Sequence, residues 1–280
     1  MAGVDSFSPG EIARLVQTRG VAKAGASGLA TLVLGVVAGA FIALGAVFST
    51  VVSTRSSLGD GPTRLLAGAA FSLGLILVVV AGAELFTGNN LIVMSWVSRK
   101  ITLSRLLRNW AIVYVGNAIG AVSVVMLVYW SDWWVMADHS IGATALSIAA
   151  SKAGLSFGVA FVRGILANAL VCLAVWLATA GRSLTDKVLA IIFPISAFVA
   201  AGFEHSIANM YFIPMGLLLS SQPAVVDVAQ LPSDRLAGLD GAGLLTNITA
   251  ATLGNVVGGG VLVGLVYWFV YLRPQLSRTS

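Results

Sequence analysis

The stretch Gly-Ala-Glu-Leu-Phe-Thr-Gly-Asn-Asn, residues 82–90, occurs a second time in related form as GFEHSIANM, residues 202–210. Both copies keep the glycine, the glutamate two residues later and the asparagine five residues after that. Each copy interrupts an apolar run, 65–96 or 188–220, that is longer than the roughly 20 residues with which a straight helix crosses a hydrocarbon core. A polar interruption inside such a long run predicts a discontinuous helix at both places.

The composition around these stretches is that of a membrane protein. Of 280 residues, 58% are hydrophobic and 10% are charged, whereas soluble domains contain about 25% charged residues. We therefore predict an all-α polytopic membrane protein that forms one transmembrane domain over residues 1–280 and keeps its first helix as an anchor, without a signal peptide. The six apolar runs that predict its spans are 24–52, 65–96, 109–130, 153–180, 188–220 and 241–272.

The basic residues predict the topology. Eleven lie on one side of the six predicted spans and four on the other, while Arg163 remains inside the fourth span. By the positive-inside rule both termini, residues 1–22 and 273–280, are expected in the cytoplasm. Because the charges are spread over short loops, the net charge of +5 does not indicate nucleic-acid binding. The richer side holds Arg14, Arg19, Lys23, Arg99, Lys100, Arg105, Arg108, Arg182, Lys187, Arg273 and Arg278, and the other holds Arg55, Arg64, Lys152 and Arg235.

Two further pairs of segments extend the repeat over three helices. NWAIVYVGNAIG (109–120) matches NITAATLGNVVG (247–258), and KAGASGLATLVLG (23–35) matches KAGLSFGVAFVRG (152–164). The repeats are thus 23–130 and 152–272. Because three is odd, the second copy enters the membrane in the opposite orientation, and inverted repeats of this kind place transport sites at the midplane.

Glu84 and Glu204 fall near the bilayer centre, where a carboxylate costs about 2.5–3.5 kcal/mol. We expect both to be paired or hydrogen-bonded. The favoured interpretation is that they bind backbone N–H groups freed at the helix breaks, with Asn89 and Asn209 as part of the same framework. A proton relay is the alternative.

The positions at which the repeat loses its symmetry are the candidates for chemistry. His205 stands where the first half has Leu85, and Thr87 stands where the second half has Ile207. A neutral imidazole at the midplane can donate a hydrogen bond to a passing oxyanion or share a proton with it. We predict that Thr87 is its partner; the alternative is that Thr87 bonds back to its own helix.

Several other residues carry narrower predictions. Lys23 and Lys152, at the start of the first helix of each repeat, would attract anions into a vestibule at each membrane face, or would only snorkel to the interface. Arg163 is expected to have a buried partner, such as a carboxylate. The segment 8–19 predicts a surface helix, with or without a gating role. Asn117, Asn168 and Asn255 are expected to bond between helices, and the glycine pairs Gly35/Gly39, Gly116/Gly120 and Gly254/Gly258 predict close helix crossings.

The chain resembles the formate/nitrite transporter family over residues 20–273. The resemblance rests on AELFTGN (83–89), RGILANALVCLAVWLA (163–178), GRSLTDK (181–187), GFEHSIANMYFIPMG (202–216) and GNVVGGGVLVGLVYW (254–268), and the wording of 202–216 is closest to the formate channel branch. It implies an aquaporin-like protomer of six helices, a homopentamer with one pore per protomer, a bacterial inner membrane, and formate as the substrate, with nitrite, acetate or lactate as related anions. No cofactor or metal is implied.

The resemblance also implies roles for individual residues. His205 and Thr87 form the central pair, Glu204, Asn168 and Asn209 support it, and the vestibule lysines match Lys23 and Lys152. Apolar constrictions fall on Phe71, Leu75, Leu85, Phe86 and Phe198.

Other functions remain as alternatives at this stage. Transport would be passive or proton-coupled, and a nitrite or hydrosulfide channel or a pore for neutral solutes would also fit a narrow path. A membrane-embedded enzyme using His205 and Ser206 is disfavoured, because adjacent residues on a helix point about 100° apart.

Overall fold

A computed structural model describes residues 6–273 of the chain; the remainder of the predicted tail, including Arg278, lies outside the described residues. The described part is helical, and no strand occurs in it. Its α-helices are α1 (Pro9–Gly25), α2 (Gly28–Ser53), α3 (Asp60–Ala81), α4 (Phe86–Asn89), α5 (Val93–Val97), α6 (Leu103–Trp130), α7 (Ser140–Ala153), α8 (Phe157–Ala180), α9 (Leu184–Ala200), α10 (Ser206–Leu219), α11 (Pro223–Ala229), α12 (Ser233–Ala237), α13 (Gly241–Asn255) and α14 (Val266–Tyr271).

The apolar helices account for the predicted spans. Among the described residues, α2, α3, α6, α8 and the continuous helix Gly241–Tyr271 are each long and apolar enough to cross a membrane. A sixth candidate is α10 with α11, which follows it after a bend of 109°. The predicted fifth span, 188–220, instead covers most of α9 and all of α10. The prediction of an all-α polytopic membrane protein is therefore confirmed.

Both predicted discontinuities are present. α3 ends at Ala81 and α4 begins at Phe86, while α9 ends at Ala200 and α10 begins at Ser206. Gly82 and Gly202 turn the chain at these breaks with φ angles of 81° and 71°. Glycine is needed at both positions because a side chain disfavours the left-handed conformation.

The glycine pairs bring helices into close contact, as predicted. A Cβ atom on Gly39 would overlap the carbonyl of Asn117, and one on Gly120 would overlap the carbonyl of Val36, so α2 and α6 cross backbone against backbone. In the second half, Gly254 and Gly258 pack in the same way against carbonyls of α8. Small residues at such crossings are the usual basis of helix association in membranes.

Two features differ from the sequence prediction. The loop before the fourth span contains the helix α7, which the apolar runs did not reveal because serine and threonine interrupt it. Lys23 and Lys152 do not begin membrane helices; they lie in the last turns of α1 and α7. The chain bends between each lysine and the following span at an extended serine, Ser27 or Ser156, which is the N-cap of the next helix.

The sixth span contains a π-helical segment, Val256–Leu265, between α13 and α14. π-helices usually occur as single turns, so this length is uncommon. The matching part of α6 is an ordinary α-helix. Within the π-helical segment, Gly259 leaves the space that Asn168 and Cys172 of α8 occupy.

Candidate permeation site

Residues within 6–273 line two cavities that enter the helix bundle. The first, here called the Lys152 cavity, has a volume of about 860 Å³, and the second, the Lys23 cavity, about 290 Å³. The start of α3 as far as Phe71 lines the Lys152 cavity, and the same helix from Leu75 onward lines the Lys23 cavity. Phe71 and Leu75 are about 6 Å apart along the helix axis, so one helical turn separates the two cavities.

His205 lines the Lys152 cavity, whereas Thr87 lines neither cavity but stands next to Gly88, which lines the Lys23 cavity. Nε2 of His205 is 2.9 Å from Oγ1 of Thr87, and the exposed fractions of the two residues are 2% and 0%. The backbone N–H of Ala208 donates to Nδ1 of His205 at 3.1 Å. Because Nδ1 is an acceptor in this bond, the ring proton of the neutral histidine lies on Nε2, the nitrogen that faces Thr87. The structure thus brings together the two residues that the sequence singled out.

Asparagine side chains hold the two half-helices in place. Oδ1 of Asn117 accepts the N–H of Phe86 at the start of α4, and Oδ1 of Asn255 accepts the N–H of Ser206 at the start of α10, both at 2.9 Å. Each asparagine also donates to carbonyls of a neighbouring helix and of the break. These bonds between helices were predicted, and they satisfy amides that a helix N-terminus leaves free.

Asn168 ties Thr87 to the second half of the chain. Its Nδ2 group lies 3.3 Å from the carbonyl oxygen of Thr87, 2.8 Å from Oδ1 of Asn90 and 2.6 Å from the carbonyl oxygen of Asn255. The S–H of Cys172 also points to the Thr87 carbonyl, at 3.3 Å. Asn168 therefore fixes the backbone of Thr87 rather than lining either cavity.

Glu84 belongs to a polar cluster beside the Lys23 cavity. Nζ of Lys23 lies 3.1 Å from Oε1 of Glu84 and donates to Oδ1 of Asn89 at 2.8 Å. Asn89 in turn donates to Oε2 of Glu84 and to Oδ1 of Asn109, at 2.6 and 3.0 Å.

A matching cluster surrounds Glu204 beside the Lys152 cavity. Nζ of Lys152 lies 2.9 Å from Oε1 of Glu204. Asn209 and Asn247 both donate to Oε2 of the glutamate, at 2.6 and 3.0 Å. Asn209 also donates to Oδ1 of Asn247 at 2.7 Å.

The two clusters correct the predicted environment of the glutamates. Lysine ammonium and asparagine amide groups bind them, instead of backbone N–H groups at the breaks, because Asn117 and Asn255 already take the first free amide of each half-helix. The two lysines were expected to attract anions or to snorkel, but each is paired with a carboxylate, Lys23 with Glu84 and Lys152 with Glu204. Asn109 and Asn247 were missed as members of the site, although the repeat aligns them with each other at the first residue of the matching segments 109–120 and 247–258.

Four of the five predicted constriction residues line the cavities. Phe71 and Phe198 line the Lys152 cavity and pack edge to face with ring centres 5.6 Å apart, and Leu75 and Leu85 line the Lys23 cavity. Phe198 also stacks on the ring of His205 at 5.9 Å. Apolar side chains thus line both cavities, and their role as constrictions stays a prediction.

Phe86 is the exception. It lines neither cavity, and its ring packs edge to face against Tyr114 and Trp110 with centre distances of 5.0 and 6.1 Å. As the first residue of α4, it faces α6 instead of the path between the cavities.

The predicted partner of Arg163 is also corrected. Nη1 of Arg163 donates to the carbonyl of Gly202 at 3.4 Å, and the ion pairs of residues 6–273 include no carboxylate bound to it. Its neighbour is therefore the turn at the second break, whose carbonyls are left free by the end of α9.

Comparison with known proteins gives a consistent result. Residues 10–269 match the family model described as "Formate/nitrite transporter". The formate channel FocA of Escherichia coli (strain K12) is 41% identical over 275 residues, covering 97% of this chain and 96% of that protein. FocA of Haemophilus influenzae is 37% identical and covers 93% of each chain.

Solved structures agree as well. One titled "Pentameric formate channel with formate bound" matches with a TM-score of 0.81 and 40% identity, covering 88% of this chain and 98% of that one. Another, titled "FNT family ion channel", matches with a TM-score of 0.78 and 30% identity, covering 92% and 98%. The fold, the site and these similarities lead to one conclusion: the chain belongs to the formate/nitrite transporter family.

Proposed function

We propose that this protein is a channel for formate and related small monovalent anions, not an enzyme, and that it works as a homopentamer with one pore in each protomer. Two relatives that it matches over nearly their whole length are named formate channels, and a solved neighbour is titled a pentameric formate channel. The distribution of basic residues supports an inner-membrane location with both termini in the cytoplasm. In that orientation the Lys23 cavity, beside α1, opens to the cytoplasm.

The observation that carries the proposal is the contact between His205, which lines the Lys152 cavity, and Thr87, whose neighbour Gly88 lines the Lys23 cavity. A bare anion between Phe71, Leu75 and Phe198 would lose its hydration at a large cost. Nε2–H of His205 can turn from the hydroxyl of Thr87 to an oxygen of formate and offset part of that cost. Between these apolar side chains the pore thus offers a small anion one donor and no excess positive charge to trap it there.

Uptake into proteoliposomes tests this function. Formate, nitrite and glycerol uptake would be compared between pH 5 and 8 for the wild-type chain, His205→Ala and His139→Ala. His139 is the matched control, because it lies in a loop with its ring stacked on Trp134. We expect formate uptake without glycerol uptake, a strong and pH-dependent change in His205→Ala, and wild-type behaviour in His139→Ala. Equal passage of glycerol would contradict an anion channel.

The assembly has its own test. Native mass spectrometry of the purified protein in detergent should give five times the mass of the 280-residue chain. A dominant monomer or trimer under conditions that retain formate transport would exclude the pentamer and leave the channel proposal standing.

A further inference from the structure

Two arginines from different helices meet the same turn of the second break. Nη1 of Arg163 in α8 donates to the carbonyl of Gly202 at 3.4 Å, and Nη1 of Arg64 in α3 donates to the carbonyl of Ala200 at 3.3 Å. Both arginines line the Lys152 cavity. Two guanidinium groups therefore lie at the end of α9 beside this cavity, and Phe198 and His205 lie on either side of the turn.

The remaining charges of the cavity leave these two arginines uncompensated. Lys152 is paired with Glu204 at 2.9 Å, and Arg55 is 3.4 Å from Asp138. Over the part of the chain that the structure describes, no ion pair includes Arg64 or Arg163. The other acidic residue of the lining, Asp60, is exposed at the first residue of α3. The excess positive charge of the Lys152 cavity thus lies at the turn 200–203.

The repeat shows that the fold does not require an arginine at this place. Leu34 in the first half corresponds to Arg163: the carbonyl of Leu34 accepts the N–H of Glu84 at 3.2 Å, as the carbonyl of Arg163 accepts the N–H of Glu204 at 3.3 Å. A leucine therefore serves the backbone contact equally well. A guanidinium in an apolar span is costly without a partner, and such residues commonly mark a solute path.

We propose that Arg64 and Arg163 form an anion-binding site in the Lys152 cavity, which holds a small carboxylate or similar oxyanion before it reaches His205. Each guanidinium has five N–H donors in a planar fork, and the turn uses a carbonyl bond from only one nitrogen of each. The remaining donors match the two oxygens of a carboxylate. This proposal rests on the proposed function, since it names the place where that channel first binds its anion. It also predicts that the two entrances of the pore differ in their affinity for formate.

Formate current across a planar bilayer, with formate added to one side at a time, tests whether the two entrances differ. Arg163→Gln and Arg64→Gln should raise the half-saturating formate concentration about tenfold from the side of the Lys152 cavity, the loss expected for one charge-assisted hydrogen bond. With formate on the opposite side, the half-saturating concentration should stay within about twofold of the wild-type value, because the anion enters past Lys23 instead. Arg163→Lys should recover only part of the loss, since lysine lacks the fork.

Arg55→Gln is the matched control. It removes one positive charge from the same cavity, but Arg55 is already paired with Asp138. Wild-type half-saturation in this variant, with a shift in the other two, supports the site. An equal shift in all three variants, or no shift in Arg64→Gln and Arg163→Gln, would overturn it in favour of general attraction by the vestibule. Because Arg64 is exposed, its variant remains informative if Arg163→Gln does not fold.

A second measurement does not depend on transport. Phenylglyoxal labels accessible arginines, and mass spectrometry of the digested protein would give the labelling rate of Arg64 and Arg163 with formate or with gluconate at equal ionic strength. Formate should slow labelling of these two residues and leave the exposed Arg99 unchanged. Protection without formate current would retain the site and contradict the channel, whereas current without protection would retain the channel and refute the site.

Discussion

Oδ1 of Asn255 lies 2.9 Å from the backbone nitrogen of Ser206 and accepts its N–H, while the Nδ2 group of the same side chain donates to the carbonyls of Gly164 and Glu204. One buried amide thus joins the sixth span, the fourth span and the second break. Asn255 therefore fixes the segment that contains His205 from a helix, α13, that lines neither cavity.

Replacing Asn255 should destabilise the protein more than replacing another polar residue of the same helix. Asn255→Ala leaves the buried amide of Ser206 and two carbonyls without their partner, and we expect a loss of about 3 kcal/mol. Thr252→Val, which removes a single bond to Tyr114 at 2.9 Å, should cost about 1 kcal/mol. Thermal unfolding in detergent would measure both, and similar melting temperatures for the two variants would argue against this role of Asn255.

The two lysine–glutamate pairs should differ in strength. The side chain of Lys152 is 17% exposed and that of Glu204 2%, whereas Lys23 is 34% exposed. Lys152→Met leaves a buried carboxylate uncompensated and should cost about 3 kcal/mol or more. Lys23→Met should cost less, because Lys23 is more exposed than Lys152 and the side chain of Glu84 is 11% exposed, so that water screens this pair more strongly.

A double variant separates the charge from the packing. In Lys152→Met/Glu204→Gln no unpaired carboxylate remains, so most of the stability lost in Lys152→Met should return. Thermal unfolding of the two single variants and the double variant gives the coupling between them. Additive losses would show that the pair contributes little beyond its shape.

Formate transport should depend on the hydroxyl group of Thr87 and not on the size of its side chain. Thr87→Val keeps the shape but removes the acceptor that faces Nε2 of His205, and an unpartnered buried N–H costs about 1–3 kcal/mol. Because the ring can then reorient, we expect formate flux in proteoliposomes to fall about tenfold or more. Thr87→Ser should retain most of the flux. Equal flux in the serine and valine variants would show that the hydrogen bond between Thr87 and His205 does not contribute to transport.

Gly259 should not tolerate a methyl group. An alanine there would place Cβ 2.6 Å from Sγ of Cys172 and still closer to the amide of Asn168, and overpacking of this kind costs about 1–3 kcal/mol. Cys172→Ala in the same chain should restore part of the loss. Gly158→Ala, with nothing within 4 Å of the added methyl, is the control and should unfold at or above the wild-type temperature.

The repeat allowed much of the site to be predicted, because it marks both the shared framework and the places where symmetry is lost. It placed His205 opposite Thr87 and assigned Asn117 and Asn255 to bonds between helices. It did not pair Lys23 with Glu84 or Lys152 with Glu204, since each pair joins two segments about 50–60 residues apart whose approach depends on how α1 and α7 fold against the breaks. The direction of Phe86 was missed for a similar reason: hydrophobicity identifies a buried residue but not which neighbour buries it.

The sixth span, with its π-helical segment Val256–Leu265, cannot be exchanged for α6. Gly258 still keeps the register of α6, since it meets the carbonyl of Ile165 as Gly120 meets the carbonyl of Val36, but the next position differs. The residue of α6 that would replace Gly259 is Ala121, whose methyl group would collide with Asn168. The halves are thus no longer interchangeable: a chimera carrying α6 in place of the sixth span would displace the side chain that anchors Thr87.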